Sequence, residues 1–488
     1  MEAKRQDSEK ANETNTVNSQ EDGDKDYDKV ADKRLAKRIA WLMIPLLSTL
    51  QALDLINSFT LNYSSVLGLF NDINLTNEEF GLAGSFTFIG MLVTQILNQY
   101  FFQRFPIAKY YGVMVFCWGV TSACTALASN FYQLAILRFF VGVFQGCNLI
   151  AHFLIIGMFF RRNEQTLWVT IMIASNYTGM ALSGLLGYAV GFMDGFAHMH
   201  AWKWLMIIFG SITGILGVFV FVLLPDTPHS RWLRLSGEEI ELMNSRIRDN
   251  GTVKTEKMNF AHIKESLVDI RFYCYMIAGI LNTMPIACTT QFSSQLIKLM
   301  GFSNLHSVLL NIPIAVTTIL LIFFALYLNQ RFQQSYYIFI FLSLISMVGI
   351  LLLCVLPEGP AELIGIFLSS TAPGAVIFQA IIVNNIIGYT KRVFFLGTAA
   401  AFYTAGNAVG PIIIGSTNAQ EHYYPALIAF IIFIGSGCSL MFFIRQMNVR
   451  DNNKRDKLER QGQLPPLPAR REELDWTDGM DLHFRYRL

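Results

Sequence analysis

Charge is scarce in this sequence. Of its 488 residues, 37 are Lys or Arg and 35 are Asp or Glu, so 15% are charged. A soluble globular domain carries about a quarter. The shortage is uneven, because residues 1–38 and 447–488 are rich in charge and long apolar runs fill the chain between them. This pattern excludes an ordinary soluble protein and gives no reason to expect a nucleic-acid partner.

The motifs that carry enzyme chemistry are also missing. The chain has no HExxH metal motif, no GxSxG nucleophile motif, no Walker loop and no repeated His/Asp cluster within an apolar segment. Its seven cysteines lie in apolar segments without CxxC spacing, which is typical of small buried side chains. We therefore expect no enzyme activity, no metal and no cofactor. The polar N-terminus predicts no cleavable signal peptide.

Apolar runs long enough to cross a membrane dominate what is present. A bilayer core about 30 Å thick needs roughly 20 apolar residues in a helix. Counting runs between clusters of charge, Pro and Asn predicts helices at residues 40–63, 81–102, 110–128, 132–158, 166–192, 202–224, 272–296, 307–328, 335–356, 361–387, 393–414 and 424–444. The predicted fold class is an all-α membrane protein with twelve transmembrane helices in two six-helix bundles.

One hydrophilic stretch divides the predicted helices into two sets of six, as expected of a duplicated transporter. The predicted domains are a disordered cytoplasmic tail (1–38), an N-terminal six-helix bundle (39–224), a cytoplasmic central loop (225–271), a C-terminal six-helix bundle (272–446) and a cytoplasmic C-terminal tail (447–488).

The sign of the charges in the short loops predicts the orientation. One set of loops carries Arg104, Lys109, Arg161, Arg162, Arg331, Lys391 and Arg392, and the alternate set carries Asp72, Glu78, Glu79, Asp194, Glu358, Glu362 and Glu421. Basic loops face the cytoplasm by the positive-inside rule. We therefore expect both termini in the cytoplasm.

Short motifs along the chain carry a resemblance to a known family. In chain order they are Leu61-Asn62-Tyr63-Ser64-Ser65-Val66-Leu67-Gly68-Leu69, Gln103-Arg104-Phe105-Pro106, Arg138-Phe139, Arg161-Arg162-Asn163-Glu164-Gln165, Leu223-Leu224-Pro225-Asp226-Thr227-Pro228, Leu309-Leu310-Asn311-Ile312-Pro313, Gly388-Tyr389-Thr390-Lys391-Arg392, Gly406-Asn407-Ala408-Val409-Gly410-Pro411 and Phe484-Arg485-Tyr486. In order and spacing they resemble the major facilitator superfamily and, within it, the fungal anion:cation symporter family typified by allantoate permease.

The resemblance implies two six-helix bundles around a central cavity that opens alternately to the two sides of the membrane. Members carry small organic anions such as vitamins, ureides, amino-acid derivatives or sulfonates, and their import is usually coupled to protons. For this chain the resemblance suggests a multi-pass protein of the plasma membrane, and internal membranes stay open. We expect a monomer whose partners are a small organic solute and membrane lipid, with protons as a further candidate.

Three positions depart from the family pattern. Members usually have an Asp-Lys or Asp-Arg pair where this chain has Asn57-Ser58, and a Glu where it has Gln145. After the Glu-Gln of the loop between helices 4 and 5 they usually have an Arg, and this chain has Trp168 near that place. Two functions therefore stay open. One is a secondary transporter for a small organic anion or zwitterion, with or without protons. The other is a nutrient sensor or uncoupled facilitator that retains the fold.

Charged residues inside a bilayer are costly and are therefore functional candidates. Asp54 lies about 14 residues into predicted helix 1, roughly 21 Å from the cytoplasmic side, and Arg138 lies at about the same depth in helix 4. In the family that the chain resembles, helices 1 and 4 both line the cavity. We expect the two side chains to pair across it or to exchange partners during transport; a static ion pair that joins the helices is the alternative.

Further polar residues complete two sets of candidates. The substrate or coupling candidates are Asp54, Asn57, Arg138, Gln145, Asn148, His152, Asn282, Gln291, Asn384 and Asn407. His152 suits a proton relay or a structural role, and each amide suits solute binding or helix joining. The candidates for a cytoplasmic gate are Arg104, Lys109, Arg161, Arg162 and Arg331.

Overall fold

The computed structural model describes residues 2–227, 230, 233, 236–237, 239–243, 260–357, 359–369, 372–417, 423–464 and 476–488. The side chains of residues 2–30 and of positions 96, 99, 103, 162, 163, 166, 289, 372, 373 and 389 lie outside the description. The residues outside the description include most of the predicted central loop, the side chains of the predicted tail up to residue 30, and positions 358 and 421.

The described part of the chain is helical and contains no strand. We number the membrane helices α1–α12 and mark the two parts of an interrupted helix a and b. They are α1 (Glu2–Ser64), α2 (Asn77–Arg104), α3 (Ile107–Cys124), α4a (Phe131–Gln145), α4b (Asn148–Phe159), α5 (Arg162–Gly191), α6 (Ala201–Leu223), α7 (Ile270–Leu299), α8a (Asn304–Leu309), α8b (Asn311–Phe332), α9 (Ser335–Val355), α10a (Leu363–Leu368), α10b (Ala372–Asn385), α11 (Tyr389–Gly415) and α12 (Tyr424–Arg460). A linker helix, Phe260–Val268, precedes α7.

Within the described residues, nine helices are long and apolar enough to cross a membrane, and α7 makes ten if its two bent parts form one span. The remaining two are α2, which has 28 residues but carries Gln95 and Asn98 among its apolar residues, and α10, which is interrupted. The predicted all-α membrane class is thereby confirmed. Two ends differ from the prediction, because α1 begins before residue 40 and α12 continues past residue 444 to Arg460.

Among the described residues, five membrane helices are interrupted or bent: α1, α4, α7, α8 and α10. Helix α1 continues into a π-helical turn, Ser65–Leu69, where α-helical geometry is lost at Gly68, whose φ of 105° suits glycine because it has no Cβ. Helix α4 breaks between Gln145 and Asn148. Helix α7 bends by 45° near Pro285, which lacks the amide hydrogen that a regular helix needs. The predicted continuous helices 132–158, 307–328 and 361–387 are thus each corrected to two parts.

Close packing fixes the helices within the first half. The helices α3 and α6 approach so closely that a Cβ on Gly119 would lie 2.1 Å from the backbone nitrogen of Gly214. We call the side of the membrane where α1 begins and α12 ends the tail side, and the other the far side. The two halves meet where α2 contacts α11, at Gly81 and Pro411, and where α5 contacts α8a, at Gly187 and Val308.

Residues 476–488, which we call the C-terminal strap, dock against the tail side of the second half. Lys391, near the start of α11, binds Asp478 of the strap at 2.7 Å and Glu265 of the linker helix at 2.9 Å. Lys391 and Asp478 are both buried. One buried ammonium group therefore joins a membrane helix, the linker helix and the strap.

Tyr486 is the second anchor of the strap. Its ring lies between the guanidinium groups of Arg271 and Arg455, whose central carbons are 4.9 and 4.8 Å from the ring centroid. Its hydroxyl donates to Asp478 Oδ2 at 2.8 Å. Burial, followed by the charge of Asp478, raises the pKa of Tyr486 above its usual value, so the hydroxyl remains a donor at neutral pH.

Candidate functional site

A carboxylate lies at the centre of the first half. Asp54 of α1 is half-buried and accepts a hydrogen bond from Gln145 Nε2 at 2.9 Å. The side-chain amides of Asn148 and Asn176 lie beside the same carboxyl group. Helices α4 and α5 thus bring three neutral amides to the carboxylate of α1. Asp54, Gln145 and Asn148 were predicted from the sequence as site residues, and Asn176 was not.

The amide network continues from Asp54 towards the tail side. Gln51 accepts from Asn148 Nδ2 through its side-chain oxygen at 3.4 Å and from Asn176 Nδ2 through its backbone carbonyl at 2.9 Å. The hydroxyl of Tyr111 in α3 donates to Asn148 Oδ1 at 2.5 Å. The network therefore links α1, α3, α4 and α5 in a region where unsatisfied polar groups would be costly.

His152 lies beneath this network and is fully buried. Its Nδ1 lies 2.6 Å from the carbonyl oxygen of Asn148 and its Nε2 lies 3.0 Å from that of Leu47. Both contacts are to backbone oxygens, and the ring also packs edge-on against Tyr111. This arrangement favours the structural role for His152 over a proton relay.

Arg138 does not pair with Asp54. It is 3% exposed, its Nη2 lies 3.3 Å from the sulfur of Met206, and its Nε has no hydrogen-bond partner among the described residues. Arg138 lies seven residues before Gln145, the α4 residue that binds Asp54, which is two helical turns or about 10 Å along the axis. The expected Asp54–Arg138 ion pair is therefore absent from this state.

The remaining amide candidates lie mostly in helix junctions. Asn57 donates to Thr213 of α6 at 3.1 Å and accepts from Ser122 of α3 at 3.2 Å. Asn282 faces Gly437 of α12, and Asn407 donates to the Tyr403 carbonyl one turn earlier. Asn384 is half-buried in α10b. The geometry thus gives Asn57 and Asn282 a joining role.

The two halves are joined by a buried cluster on the far side, which we call the far-side seal. Asn62 Nδ2 of α1 donates to Ser293 Oγ of α7 at 2.8 Å, and the Ser294 backbone N–H donates to Asn62 Oδ1 at 3.0 Å. Asn311 of α8b binds both serines, at 2.6 and 3.0 Å. In the sequence, Asn62 and Asn311 stood out only as parts of family motifs.

Two further contacts join the halves. Gln291 Nε2 of α7 lies 3.4 Å from the Phe80 carbonyl of α2, so this candidate belongs to the contact between the halves on the far side. Gln95 of α2 donates to Thr404 of α11 at 2.9 Å deeper in the membrane, outside the far-side closure. The far side is therefore closed in this state by amides and hydroxyls that are buried between the halves.

We predict that Asn62→Ala opens the far side. The change leaves buried polar groups of α7 without partners, a cost of about 1–3 kcal/mol, and roughly 1.4 kcal/mol changes an equilibrium tenfold. The reporter is Val308→Cys in an otherwise cysteine-free protein, because Val308 is buried against α5 at the closure. Its labelling by a membrane-impermeant maleimide is expected to accelerate about tenfold.

Asn57→Ala is the matched control for this prediction, because Asn57 is equally buried but binds only helices of its own half among the described residues. It should leave the labelling rate unchanged. Equal acceleration by both substitutions would contradict the assignment of Asn62 to the seal.

The predicted gate cations lie at the tail side of their own halves. Arg104 and Arg331 are exposed. Lys109 donates its backbone N–H to Asp226 at 3.1 Å and places its ammonium over the Phe221 ring. Arg161 lies 3.4 Å from Asp32. The side chain of Arg162 is outside the described residues. A tail-side gate made by these cations remains a prediction.

Two helical halves, a polar centre and a closed far side define a membrane transporter. The Major Facilitator Superfamily profile matches residues 47–415, and the chain belongs to that family. Among curated relatives, an uncharacterized transporter of Schizosaccharomyces pombe is 27% identical over 94% of this chain and 93% of its own length. The allantoate permease of Saccharomyces cerevisiae is 25% identical over 94% and 87%. These matches confirm the resemblance to the allantoate permease type.

A solved structure shares the fold. A bacterial homologue of the human lysosomal transporter Spinster, in an inward-facing and occupied conformation, covers 83% of this chain and 96% of its own, with a TM-score of 0.66 and 12% sequence identity. At this identity the likeness confirms the predicted major facilitator fold of two helical bundles and bears on nothing finer.

Proposed function

We propose that this protein is a secondary transporter that imports a small organic anion or zwitterion across the plasma membrane by alternating access, as a monomer with both tails in the cytoplasm. The observation that carries the proposal is the half-buried Asp54 carboxyl group and its three amides, which lie in the first bundle while the far side is sealed. A charged group at this depth is costly, and we therefore expect it to serve a solute or an ion.

The far-side seal supports alternating access. It consists of neutral hydrogen bonds between Asn62 and α7, which have weaker electrostatic attraction than a buried ion pair and can be exchanged for water when the halves separate. Glycine contacts between α2 and α11 permit the close approach that closes the far side. The tail-side cations, which the positive-inside rule places in the cytoplasm, then form the gate of the opposite state.

Proton coupling would depend on Asp54. The family position that usually holds a glutamate is Gln145, whose amide donates to Asp54. A sensor or uncoupled facilitator is the second candidate function, and the observation that favours it is this replacement of a carboxylate by an amide.

Uptake in cells that lack or overproduce the protein tests the proposal. The panel is a set of radiolabelled vitamins, ureides, amino-acid derivatives and sulfonates. We expect concentrative uptake of at least one class that rises with the amount of protein. Abolition by a protonophore indicates proton symport, and equilibration without concentration indicates a facilitator. Absence of flux for every class would contradict the proposal and favour a sensor.

A further inference from the structure

The middle of the membrane contains very few charges in this chain, and all of them lie in the first half. By sequence, α7 has no charge between Arg271 and Lys298, α9 and α10b have none, and α11 has none after Arg392. In the first half, α2 has none between Glu79 and Arg104. Away from the helix ends, Asp54 and Arg138 are the charges, and His152 is the further titratable imidazole. Asp54 and Arg138 are therefore the charged side chains available to a solute in the middle of the membrane.

Asp54 has no cation beside it among the described residues. Gln145, Asn148 and Asn176 surround its carboxyl group with neutral amides. An ionised Asp54 therefore lacks a neutralising cation among the described residues, and a positively charged nitrogen would supply one.

Arg138 is the complementary case. It is buried, its Nε–H has no partner among the described residues, and its described contact is the neutral sulfur of Met206. A buried donor without an acceptor is costly, and guanidinium groups bind carboxylates and sulfonates strongly. Seven residues separate Arg138 from Gln145, which places both on nearly the same face of a helix with 3.6 residues per turn. Arg138 lies two helical turns nearer the far side than Gln145.

We propose that Asp54 and Arg138 are the two ends of a site for a zwitterion. The solute's protonated nitrogen binds Asp54, and its carboxylate or sulfonate binds Arg138. This inference rests on the proposed transport function and narrows its solute class from anions and zwitterions to zwitterions. The same two residues that fail to pair with each other are then both neutralised by one solute.

Matched pairs of amine and hydroxyl acids test the proposal: β-alanine against 3-hydroxypropionate, 4-aminobutyrate against 4-hydroxybutyrate, and taurine against isethionate. Each pair shares its anionic group and differs only in the nitrogen. We measure the uptake that depends on the protein, in cells with and without it. The amine member of a transported pair should enter about tenfold faster or more, the effect of one charge-assisted hydrogen bond.

Two variants at Asp54 separate an ammonium ligand from a proton. Asp54→Asn should reduce the preference for the amine to within about twofold, and Asp54→Glu should restore it. Monodisperse elution of both variants in detergent shows that they fold. Equal loss of amine and hydroxyl uptake in Asp54→Asn would mean that Asp54 serves protons. Equal transport of both members by the native protein would mean that the ammonium group is not recognised. Either result would overturn the zwitterion site alone. Lack of flux for every pair and for the wider panel would overturn the transport function as well.

Discussion

Lys391→Met is expected to destabilise the folded protein by about 3–5 kcal/mol, the usual cost of removing one partner of a buried ion pair. Lys391 is the cation that neutralises Asp478 of the strap, and both side chains are buried. Glu265 loses the same partner. The substitution leaves the carboxylates of Asp478 and Glu265 close together without the cation that lay between them. Their repulsion should detach the strap before the membrane helices unfold. Thermal denaturation in detergent measures the stability, and limited proteolysis measures the release of the strap.

Lys454→Met is the matched control for Lys391→Met. Lys454 is also a lysine on the tail side, but its side chain is 76% exposed and its partner Asp451 is 3.8 Å away. Exposed pairs of this kind contribute little, so no measurable change is expected. The double variant Lys391→Met with Asp478→Asn should recover part of the loss. Equal stability of the two single variants would show that the strap is not held by this ion pair.

The membrane fold was predictable from the sequence because lipid imposes strong constraints on composition. A helix that crosses the bilayer needs a long run without charge, and such runs are visible residue by residue. The interruptions of α4 and α7 were not predicted, since Gln145, Gly146 and Cys147 change the hydropathy of the run very little. Pro285 was a visible signal, but a proline inside a membrane helix is tolerated and does not fix the bend.

The candidate site was predicted in part. Asp54, Gln145 and Asn148 were identified because polar residues are rare in these helices, and the structure brings them together. The Asp54–Arg138 pair was wrong for this state because depth was counted from helix ends that hydropathy leaves uncertain by a turn or more. The sequence gives no local signal for the seal, since Asn62 and Ser293 lie 231 residues apart and meet only when the halves dock.

The strap illustrates a different limit of sequence reasoning. Tyr486 and Arg455 lie in charged, polar segments that predict a solvated tail, yet the tyrosine ring is 5% exposed and Arg455 donates to the carbonyls of Phe484 and Asp478. A polar segment becomes ordered when every charge finds a partner, and these partners come from α7, α11 and α12. Their arrangement depends on the tertiary fold and not on the composition of the tail.

Arg138→Met is expected to lower transport about 100-fold or more without lowering stability. The loss of transport follows if Arg138 binds the solute's anion, because truncating one side of a buried charge pair costs roughly 2–5 kcal/mol. Stability should stay equal or rise, since Arg138 makes no ion pair among the described residues and its burial is unfavourable. Uptake of the transported solute and thermal denaturation in detergent measure the two quantities on the same preparation.

Arg455→Met is the matched control, because this arginine is also buried but donates to two backbone carbonyls at 2.7 and 2.6 Å. Removing those charge-assisted bonds should cost about 3 kcal/mol of stability. Arg138→Lys keeps the charge and should retain more uptake than Arg138→Met. The contrast between the two buried arginines is decisive: a residue kept for the fold loses stability when replaced, and a residue kept for a solute loses transport. If Arg138→Met unfolds the protein as Arg455→Met does, Arg138 belongs to the packing of α4 against α6 and not to the solute.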